Sequence, residues 1–289
     1  MIMTKIFTKL FKSLEIGDDL PPIVMGVLNL SPESFFKGSV YEDMSALKSV
    51  SLSMTRNGAK ILDIGARSTA PWSNKISLQE EINRIIPAIK TVCKIIQKDV
   101  LVSIDTQYMK VAKKAHEIAK KYDRNVIIND VSSFNTDTRL KEYVVEQKLP
   151  VILMASKEIP GDILTIEEII EEFRVVIENL INNGYDENLI ILDPGIGRWV
   201  EEKTPECDMK IITNLEKLRV LGKPILVALS RKSFIGAVLN IEEPENRFNG
   251  TLAATAIAVY NGAHIIRTHD VNSQLKEILI MAKSLRDSK

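Results

Sequence analysis

The amino-acid sequence predicts a (β/α)8 barrel, and three observations lead to that fold class. Eight short, apolar runs rich in β-branched residues recur along the chain from residue 21. Longer stretches with helical periodicity separate these runs, and polar side chains come immediately after nearly every run. Strict alternation of strand and helix implies parallel strands joined by right-handed crossovers. Eight such units are the number that closes a barrel.

The composition excludes several other classes of protein. The 289 residues include 38 basic and 38 acidic side chains, and this zero net charge argues against a nucleic-acid partner held by a basic surface. No apolar run approaches the roughly 20 residues that a membrane helix needs, so we expect no membrane partner. Cys93 and Cys207 form neither a disulfide framework nor a zinc-like cluster. The sequence therefore predicts a reducing, cytoplasmic setting.

Residues 1–20 are predicted to form an N-terminal extension, and residues 21–289 a single barrel domain. In the first fourteen residues a helix would carry lysines on one side and an apolar stripe on the other, formed by Ile6, Phe7, Leu10, Phe11 and Leu14. This segment contains no arginine and no uninterrupted apolar run before a small-residue cleavage site. We interpret it as a helix that caps the domain rather than as a targeting peptide.

The predicted strands follow one another in a regular order. They are IVMGVL (23–28), AKILDIG (59–65), VLVSID (100–105), NVIIND (125–130), PVILM (150–154), LIILD (189–193), PILVAL (224–229) and AHIIRT (263–268). Eight predicted helices alternate with them, the clearest being LQEEINRIIPAIKTVCKIIQK (78–98). An open, doubly wound sheet is the alternative. It is disfavoured because no GxGxxG follows the first strand and because eight units are many for that fold.

Polar side chains gather at the carboxyl ends of the predicted strands, where (β/α)8 barrels carry their chemistry. Seven of the eight ends are polar, and their residues are Asn29, Asp63, Asp105, Asn129, Asp130, Asp193, Ser230, Arg231, Lys232, Ser233, Arg267, His269 and Asp270. Asp105, Asn129 and Asp193 offer carboxylate and amide groups that can pair with a flat, amino-bearing heterocycle. Cations and hydroxyls at strands seven and eight suit phosphate oxygens. The pattern thus indicates a polar heterocycle joined to phosphate, and no Walker loop, HExxH or Ser-His-Asp order competes with it.

The sequence resembles the dihydropteroate synthase family over nearly the whole chain from residue 22. The motifs that carry the resemblance are MGVLNLSPESF (25–35), DIGARSTAP (63–71), SIDT (103–106), IND (128–130), DPGIG (193–197), SRKSFIG (230–236) and RTHDV (267–271). Each motif is weak alone, but seven in order at the proper strand ends are specific. The resemblance implies that the chain joins 6-hydroxymethyl-7,8-dihydropterin diphosphate to an arylamine and releases diphosphate.

The resemblance also implies a role for each matching residue. Asn29 would be a ligand of Mg²⁺, the expected cofactor, which accompanies the diphosphate. Asp105, Asn129 and Asp193 would read the pterin ring. Lys232 would reach that ring, Arg267 would stack over it, and Arg267 with His269 would hold the diphosphate, so that these three are the catalytic residues. Thr69 and Pro71 belong to the family's mobile second loop, and Ser233 would receive the anionic group of the arylamine.

The chain departs from the family pattern mainly around the second substrate. Loop 1 reads ESFFKGS instead of DSFSDGG, loop 2 reads GARSTAPW instead of GGESTRPG, and DPGIGFGK becomes DPGIGRWV. Because Lys37, Arg67 and Arg198 add positive charge there, we hypothesise that the arylamine is not simply p-aminobenzoate. p-Aminobenzoate stays the alternative, because cations in the family's mobile loops could instead hold the diphosphate. A ribofuranosyl-aminobenzene phosphate, as in the methanopterin pathway of archaea, would explain the cations. Trp72 and Trp199 lie in the same loops, and either of them could cover the substrate.

Two other functions stay open at this stage. A pterin-dependent methyltransferase that serves a corrinoid protein would share the barrel and the pterin pocket, but it releases no diphosphate and needs no cationic cluster. A non-catalytic, pterin-binding paralogue would explain the divergent loops. The family resemblance further implies a homodimer formed through the last helices, with the apolar segment 252–258 as a compatible surface.

Overall fold

A sheet of eight parallel strands forms the centre of the protein, seen in a computed structural model that describes residues 5–11, 13–31, 43–69 and 73–289. Two further strands precede the sheet. In chain order the strands are β1 (Phe7–Leu10), β2 (Leu14–Gly17), β3 (Ile23–Asn29), β4 (Ala59–Gly65), β5 (Leu101–Asp105), β6 (Val126–Asp130), β7 (Val151–Met154), β8 (Ile190–Asp193), β9 (Leu226–Ala228) and β10 (Ile265–Thr268). The α-helices are α1 (Met44–Arg56), α2 (Leu78–Ile95), α3 (Met109–Lys121), α4 (Thr138–Gln147), α5 (Ile166–Asn182), α6 (Pro205–Thr213), α7 (Ser233–Leu239), α8 (Phe248–Tyr260) and α9 (Ser273–Asp287).

The eight parallel strands close into a barrel. Their order is β8-β7-β6-β5-β4-β3-β10-β9, and every neighbouring pair is parallel. The two ends of this order also meet, because Leu192 and Ile225 form a parallel bridge and the Leu192 N–H donates to the Pro224 carbonyl at 3.0 Å. The (β/α)8 barrel predicted from the sequence is therefore confirmed.

The alternation of strand and helix is less strict than the sequence suggested. Between β9 and β10 the chain forms two α-helices, α7 and α8, where one was predicted. The break follows from local chemistry, since α7 stops at Asn240, whose φ of +61° is left-handed. Pro244 then begins a short 3₁₀ helix, Pro244–Arg247, ahead of α8. Asparagine accepts the left-handed region more readily than most residues do.

The N-terminal segment is a β-hairpin, so the predicted helix is wrong. Strands β1 and β2 pair antiparallel, with Thr8 opposite Ile16 and Leu10 opposite Leu14. Even-numbered positions face the barrel and are buried, whereas Phe7 on the opposite face is 54% exposed. Burial thus follows the period of two that a strand imposes rather than the 3.6 of a helix. The expected capping position is nevertheless observed, because the hairpin packs under the barrel.

The apolar core has two parts, one inside the barrel and one between the strands and the helices. The inner part fills the end of the barrel that faces the hairpin. It consists of Met25, Ile61, Leu101, Ile127, Ile152, Ile191, Leu226, Ala228 and Ile265, together with Leu10, Leu14 and Ile16 of the hairpin. Among the described residues no helix is long and apolar enough to cross a bilayer.

A partly buried ion pair secures the hairpin to the rest of the barrel. Asp18 accepts hydrogen bonds from Arg219 at 2.5 and 2.9 Å and from the backbone N–H of Ile6 at 2.8 Å. His264 contacts the same carboxylate at 3.3 Å. Burial alone would raise the pKa of Asp18, but the bonds to His264, Arg219 and Ile6 outweigh burial and hold it far below its ordinary value.

We expect Asp18→Asn to destabilise the protein by about 3 kcal/mol at neutral pH, since it leaves Arg219 without a counter-charge. A depressed folded-state pKa stabilises the fold above the unfolded-state pKa of about 4, and that stabilisation is lost progressively as pH falls below this value toward the folded-state pKa. The variant should therefore lose less stability than the wild type between neutral and acidic pH. Urea unfolding at pH about 7 and about 2.5 measures both effects, and equal acid sensitivity of the two proteins would contradict this role of Asp18.

Candidate active site

The parity of the strands determines which side chains line the upper barrel. Successive residues of a strand point to opposite faces, so residues two apart share a face. Ile61, Leu101, Ile127, Ile191 and Ile265 point into the barrel. Two residues further along β4, β6, β8 and β10 lie Asp63, Asn129, Asp193 and Arg267, and four residues further along β5 lies Asp105. The same faces that are apolar below therefore become polar at the carboxyl ends.

These polar ends surround a cavity of about 370 Å³. All nine residues that the sequence singled out for the site lie in its lining, namely Asn29, Thr69, Asp105, Asn129, Asp193, Lys232, Ser233, Arg267 and His269. Pro71, Lys37 and Trp72 lie outside the described residues. The described residues thus bring the whole candidate set into one place, although their roles stay predictions.

Arg267 joins two carboxylates at the floor of the cavity. Its Nε donates to Asp63 Oδ2 at 2.6 Å, and its Nη2 donates to Asp105 Oδ2 at 2.8 Å. The side chain of Asp63 is fully buried, and it also accepts hydrogen bonds from the Asn129 amide at 3.2 and 3.4 Å. One guanidinium thereby connects β4, β5 and β10, and it fixes the orientation of a carboxylate that the sequence assigned to the pterin.

The charges of this cluster shift the pKa values of its members. Burial raises the pKa of Asp105 to about 7, the Asp63 carboxylate adds to this rise, and Arg267 opposes it. Burial tends to lower the pKa of Arg267, but Asp63 and Asp105 raise it above its ordinary value. Arg267 is therefore always charged, whereas Asp105 changes its charge near neutral pH.

Lys232 projects into the cavity beside Asp193. Burial lowers the pKa of Lys232 to about 8, and Asp193 and Asp208 oppose this shift. Its Nζ donates a hydrogen bond to the carbonyl of Ile196. Gly197 makes room for the lysine, because its φ is +124° and a Cβ there would lie 3.1 Å from both Cδ and Nζ of Lys232. The DPGIG turn, residues 193–197, thus shapes the seat of the lysine.

His269 is a neutral group rather than the cation that the sequence suggested. Burial lowers its pKa to about 3, and the charges of Arg267, Arg231 and Lys232 lower it further. The Oγ of Ser230 lies 3.0 Å from His269 Nδ1 and also accepts the His269 backbone N–H at 3.3 Å. Because that hydroxyl can then donate to Nδ1, we assign the imidazole hydrogen to Nε2. His269 can therefore donate a hydrogen bond to an anion, but it adds no charge.

The extra cations around the second substrate differ in their surroundings. Arg67 lines the cavity, but its Nε is paired with the fully buried carboxylate of Glu81 at 2.6 Å. Arg198 also lines the cavity, and its side chain is exposed to solvent. Trp199 also lines the cavity, with Lys232 Nζ 5.8 Å from its ring centroid. Of the two described cations, only Arg198 faces outward.

Sequence reasoning noted Asp63 and Ser230 at strand ends but left both out of the candidate set. Asp63 is the partner that Arg267 and Asn129 share, and Ser230 Oγ lies within hydrogen-bond distance of His269 Nδ1. The signal for Asp63 was its parity with Ile61, which already pointed it into the barrel. No comparable signal existed for Glu81, which lies on a helix 14 residues beyond Arg67.

Comparisons with known proteins agree with this geometry. The pattern of the pterin binding enzyme family matches residues 25–269. The dihydropteroate synthase of Clostridium beijerinckii is 36% identical over 90% of this chain and 92% of its own length. A dihydropteroate synthase from Coxiella burnetii, solved with pteroic acid, is 32% identical with a TM-score of 0.83 over 98% of this chain and 100% of its own.

A third relative concerns the other substrate. The dihydropteroate synthase of Xanthomonas albilineans, solved with 4-aminobenzoic acid, is 28% identical and has a TM-score of 0.82, covering 98% of this chain and 99% of its own. These matches span the barrel, the cavity and all seven motifs. The chain belongs to the pterin binding enzyme family and, within it, to the dihydropteroate synthases.

Proposed function

We propose that this protein condenses 6-hydroxymethyl-7,8-dihydropterin diphosphate with p-aminobenzoate to give dihydropteroate and diphosphate. The observation that carries the proposal is a single cavity in which carboxylates and an amide face a lysine and an arginine, in a chain of this family. The relatives solved with pteroic acid and with 4-aminobenzoic acid support both halves of the reaction.

The pterin half of the cavity is suited to a ring rich in N–H donors. Asp193 accepts the Gly195 N–H through Oδ1 at 2.8 Å, so its other oxygen can accept from the substrate. Asp105 similarly uses Oδ2 for Arg267 and keeps Oδ1. Burying donors against ionised carboxylates gives charge-assisted hydrogen bonds, which are about twice as strong as neutral ones.

The reaction needs positioning and charge stabilisation rather than a protein nucleophile. The arylamine nitrogen forms a C–N bond to the exocyclic methylene as the C–O bond to diphosphate breaks, and the amine then gives up one proton to surrounding water. Arg267 and Lys232 offset the charge that the leaving diphosphate gains, and His269 donates a hydrogen bond to it. Holding both substrates in line within one cavity supplies the remaining catalysis.

A Mg²⁺ ion fits the donor set beside Asn29. No group of three or more acidic, histidine or cysteine side chains that could hold a metal occurs in the part of the chain described. Asn29 Oδ1 accepts one hydrogen bond, from Ser31 N–H at 3.0 Å, and retains a second lone pair. Magnesium commonly takes few protein ligands and completes its shell with water and substrate phosphates. Such an ion would help to neutralise the departing diphosphate.

The choice of p-aminobenzoate over a phosphorylated arylamine depends on Arg67. A phosphate of the second substrate would need several unpaired cations. Arg67 is instead paired with Glu81, which cancels its charge. Of the two described cations on this side, Arg67 and Arg198, only Arg198 remains available to a phosphate. We therefore favour the simple carboxylate, with Ser233 beside it in the cavity.

A competition assay tests this function directly. The purified protein receives Mg²⁺, dihydropterin diphosphate and equimolar p-aminobenzoate and ribofuranosyl-aminobenzene phosphate, and mass spectrometry identifies the products. We expect dihydropteroate and diphosphate. A ribosylated product would instead mean that the basic loops read a phosphate. If the protein binds the pterin substrate but releases no diphosphate with either amine, the result would favour the methyltransferase or the non-catalytic, pterin-binding paralogue.

The pH dependence of kcat/KM for the pterin substrate should be bell-shaped. As pH falls below about 7, Asp105 gains a proton, so it loses its negative charge and one of its oxygens becomes a donor instead of an acceptor. As pH rises above about 8, Lys232 loses its charge. Because kcat/KM reports the free enzyme, steady-state rates between pH about 5.5 and about 9.5 measure both limbs. Lys232→Arg should remove only the basic limb, and a flat profile would contradict the assignment.

We also propose that the protein is a homodimer that works in the cytoplasm. Exposed apolar side chains on α8 and α9, which pack on each other, support a shared interface; they are Ile257, Ile280, Met281 and Leu285. Light scattering coupled to size exclusion measures the mass, and a monomer at micromolar concentration would contradict the dimer.

A further inference from the structure

An ion pair lies behind the cavity wall, between the loop that follows β4 and helix α2. The Arg67 Nε donates to Glu81 Oε2 at 2.6 Å. The side chain of Glu81 is fully buried, and that of Arg67 is only 11% exposed. A carboxylate buried to this extent needs a compensating charge, and Arg67 supplies it.

Glu81 also connects the pair to the end of β5. Its other oxygen, Oε1, accepts a hydrogen bond from Thr106 Oγ1 at 2.6 Å. The same hydroxyl oxygen accepts the Tyr108 N–H at 3.3 Å, and the Arg67 guanidinium lies over the Tyr108 ring, 4.9 Å from its centroid. We call these four residues, Arg67, Glu81, Thr106 and Tyr108, the Arg67 brace. The brace joins the β4 loop, α2 and the segment that leads from β5 into α3.

The brace supports a part of the cavity wall that also has hydrogen bonds of its own, from Ser73 Oγ to the Ser68 carbonyl at 3.1 Å and from Arg84 Nη1 to the Ala66 carbonyl at 3.4 Å. Residues 67–69 line the cavity, and Ser68 N–H donates to Ser31 Oγ at 3.1 Å. The pterin side is fixed independently of Arg67, because Asp105 is held by Arg267, Asn129 by Asp63, and Asp193 by Gly195. Loss of the brace should therefore disturb the wall at 67–69 and leave the pterin pocket in place.

We propose that Arg67 is a positioning residue, which holds residues 67–69 against the end of β5 so that the wall around the second substrate is preformed. This inference rests on the proposed function, and it means that Arg67 contacts other residues of the barrel rather than the substrate. Preformed walls matter because a displacement of about 1 Å in a reacting group can cost about 100-fold in rate. The extra basic residue in loop 2, Arg67, thus holds the cavity wall in position and does not bind a phosphate.

Four variants separate positioning from simple stabilisation. Arg67→Met removes the brace but leaves Glu81 buried. The double variant Arg67→Met/Glu81→Met removes both charges and fills the space, a change that often restores stability. Arg67→Lys keeps the charge without the planar fork. Arg219→Met is the matched control, because it breaks a similar half-buried pair with Asp18 at the opposite end of the barrel.

In Arg67→Met we expect the KM for p-aminobenzoate to rise by about 10-fold or more, with kcat reduced. The Kd for dihydropterin diphosphate should change less than about twofold, since the groups that hold the pterin keep their partners. The double variant should regain much of the thermal stability and yet keep the raised KM. Arg67→Lys should recover part of the KM, and Arg219→Met should lower the melting temperature with an unchanged KM.

Three results would overturn the inference. An unchanged KM in Arg67→Met would reduce the pair to a static contact. Restoration of KM together with stability in the double variant would do the same. A selective loss of activity toward the phosphorylated amine would make Arg67 a substrate contact.

Amide hydrogen exchange distinguishes failure of the brace from failure of the proposed function. Exchange at residues 66–69 should accelerate by about 10-fold in Arg67→Met and stay unchanged in Arg219→Met, whether or not the protein turns over. A wild-type protein that makes no dihydropteroate would refute the function alone. Unaltered exchange at 66–69 in Arg67→Met would refute the brace alone.

Discussion

Replacement of Arg267 by methionine should lower kcat/KM by about 1000-fold, because the loss of one oriented charge at a developing anion costs 100-fold to 1000-fold and the pterin pocket is disturbed as well. The side chain serves both halves of the proposed site. It bonds Asp63 and Asp105 at 2.6 and 2.8 Å, and it lies in the cavity where the diphosphate would depart. No other described cation pairs with these two carboxylates.

The variant leaves two carboxylates in one buried cluster without a counter-charge. Asp63 is fully buried, and the pKa of Asp105 is already raised to about 7 by burial and by Asp63. Without Arg267 that pKa rises further, so Asp105 is protonated at neutral pH and accepts the pterin poorly. The acidic limb of the kcat/KM profile should therefore move to higher pH. Removal of one partner from a buried pair also destabilises the fold by about 3–5 kcal/mol.

Steady-state kinetics and urea unfolding measure the two consequences separately. Arg267→Lys should give an intermediate rate, because an ammonium keeps the charge but cannot bridge two carboxylates as a planar fork does. Arg219→Met is again the matched control, since it breaks a two-pronged pair with Asp18 far from the cavity. A kcat/KM of Arg267→Met within tenfold of the wild type would contradict the assigned role.

The Arg267 cluster shows how far a sequence predicts a site of this kind. Strand parity and the polar strand ends are local patterns, so the barrel and eight of the nine cavity residues could be predicted from them, whereas Thr69 was implied only by the family resemblance. Pairing between those residues could not, because it depends on distances across the barrel. The sequence suggested that the Asp105 carboxylate is unpaired until it binds a ligand with hydrogen-bond donors. In the structure Arg267 already donates a hydrogen bond to one of its oxygens. Likewise, the three cations of the second-substrate side looked equivalent until Arg67 proved to be paired with Glu81.

The N-terminal segment was misread for a physical reason. Ile6, Leu10 and Leu14 are spaced four apart, a spacing that fits one face of a helix and one face of a strand equally well. Phe7 and Phe11 then tipped the interpretation toward a helix. In the structure Phe7 faces solvent, and Phe11 occupies the turn with a left-handed φ of +53°. A segment of a few residues does not distinguish the strand period of two from the helix period of 3.6. Here the packing of the segment against the end of the barrel selects the strand.

The packing of the N-terminal hairpin against the inner core leads to a second large expected effect, on stability. Leu10 is completely buried against the inner core, where it covers isoleucine and leucine side chains from seven of the eight barrel strands. We expect Leu10→Ala to destabilise the protein by about 2–5 kcal/mol, the cost of lost apolar contacts and a residual cavity. Phe7→Ala is the matched control on the same strand. It removes a larger side chain that is 54% exposed, and we expect a change of at most about 0.5 kcal/mol.

Deletion of residues 1–20 should have a still larger effect, because it removes Leu10, Leu14 and Ile16 together and uncovers the inner ring of apolar residues. Each such side chain contributes about 1.5–3 kcal/mol when buried. The deletion also removes Asp18 and its pair with Arg219. The sum approaches the whole stability of an ordinary domain, about 5–15 kcal/mol, so the truncated chain should fail to fold. Urea unfolding and circular dichroism of the three proteins provide the test. If the truncated barrel unfolds like the full-length protein, the hairpin does not contribute to the stability of the barrel.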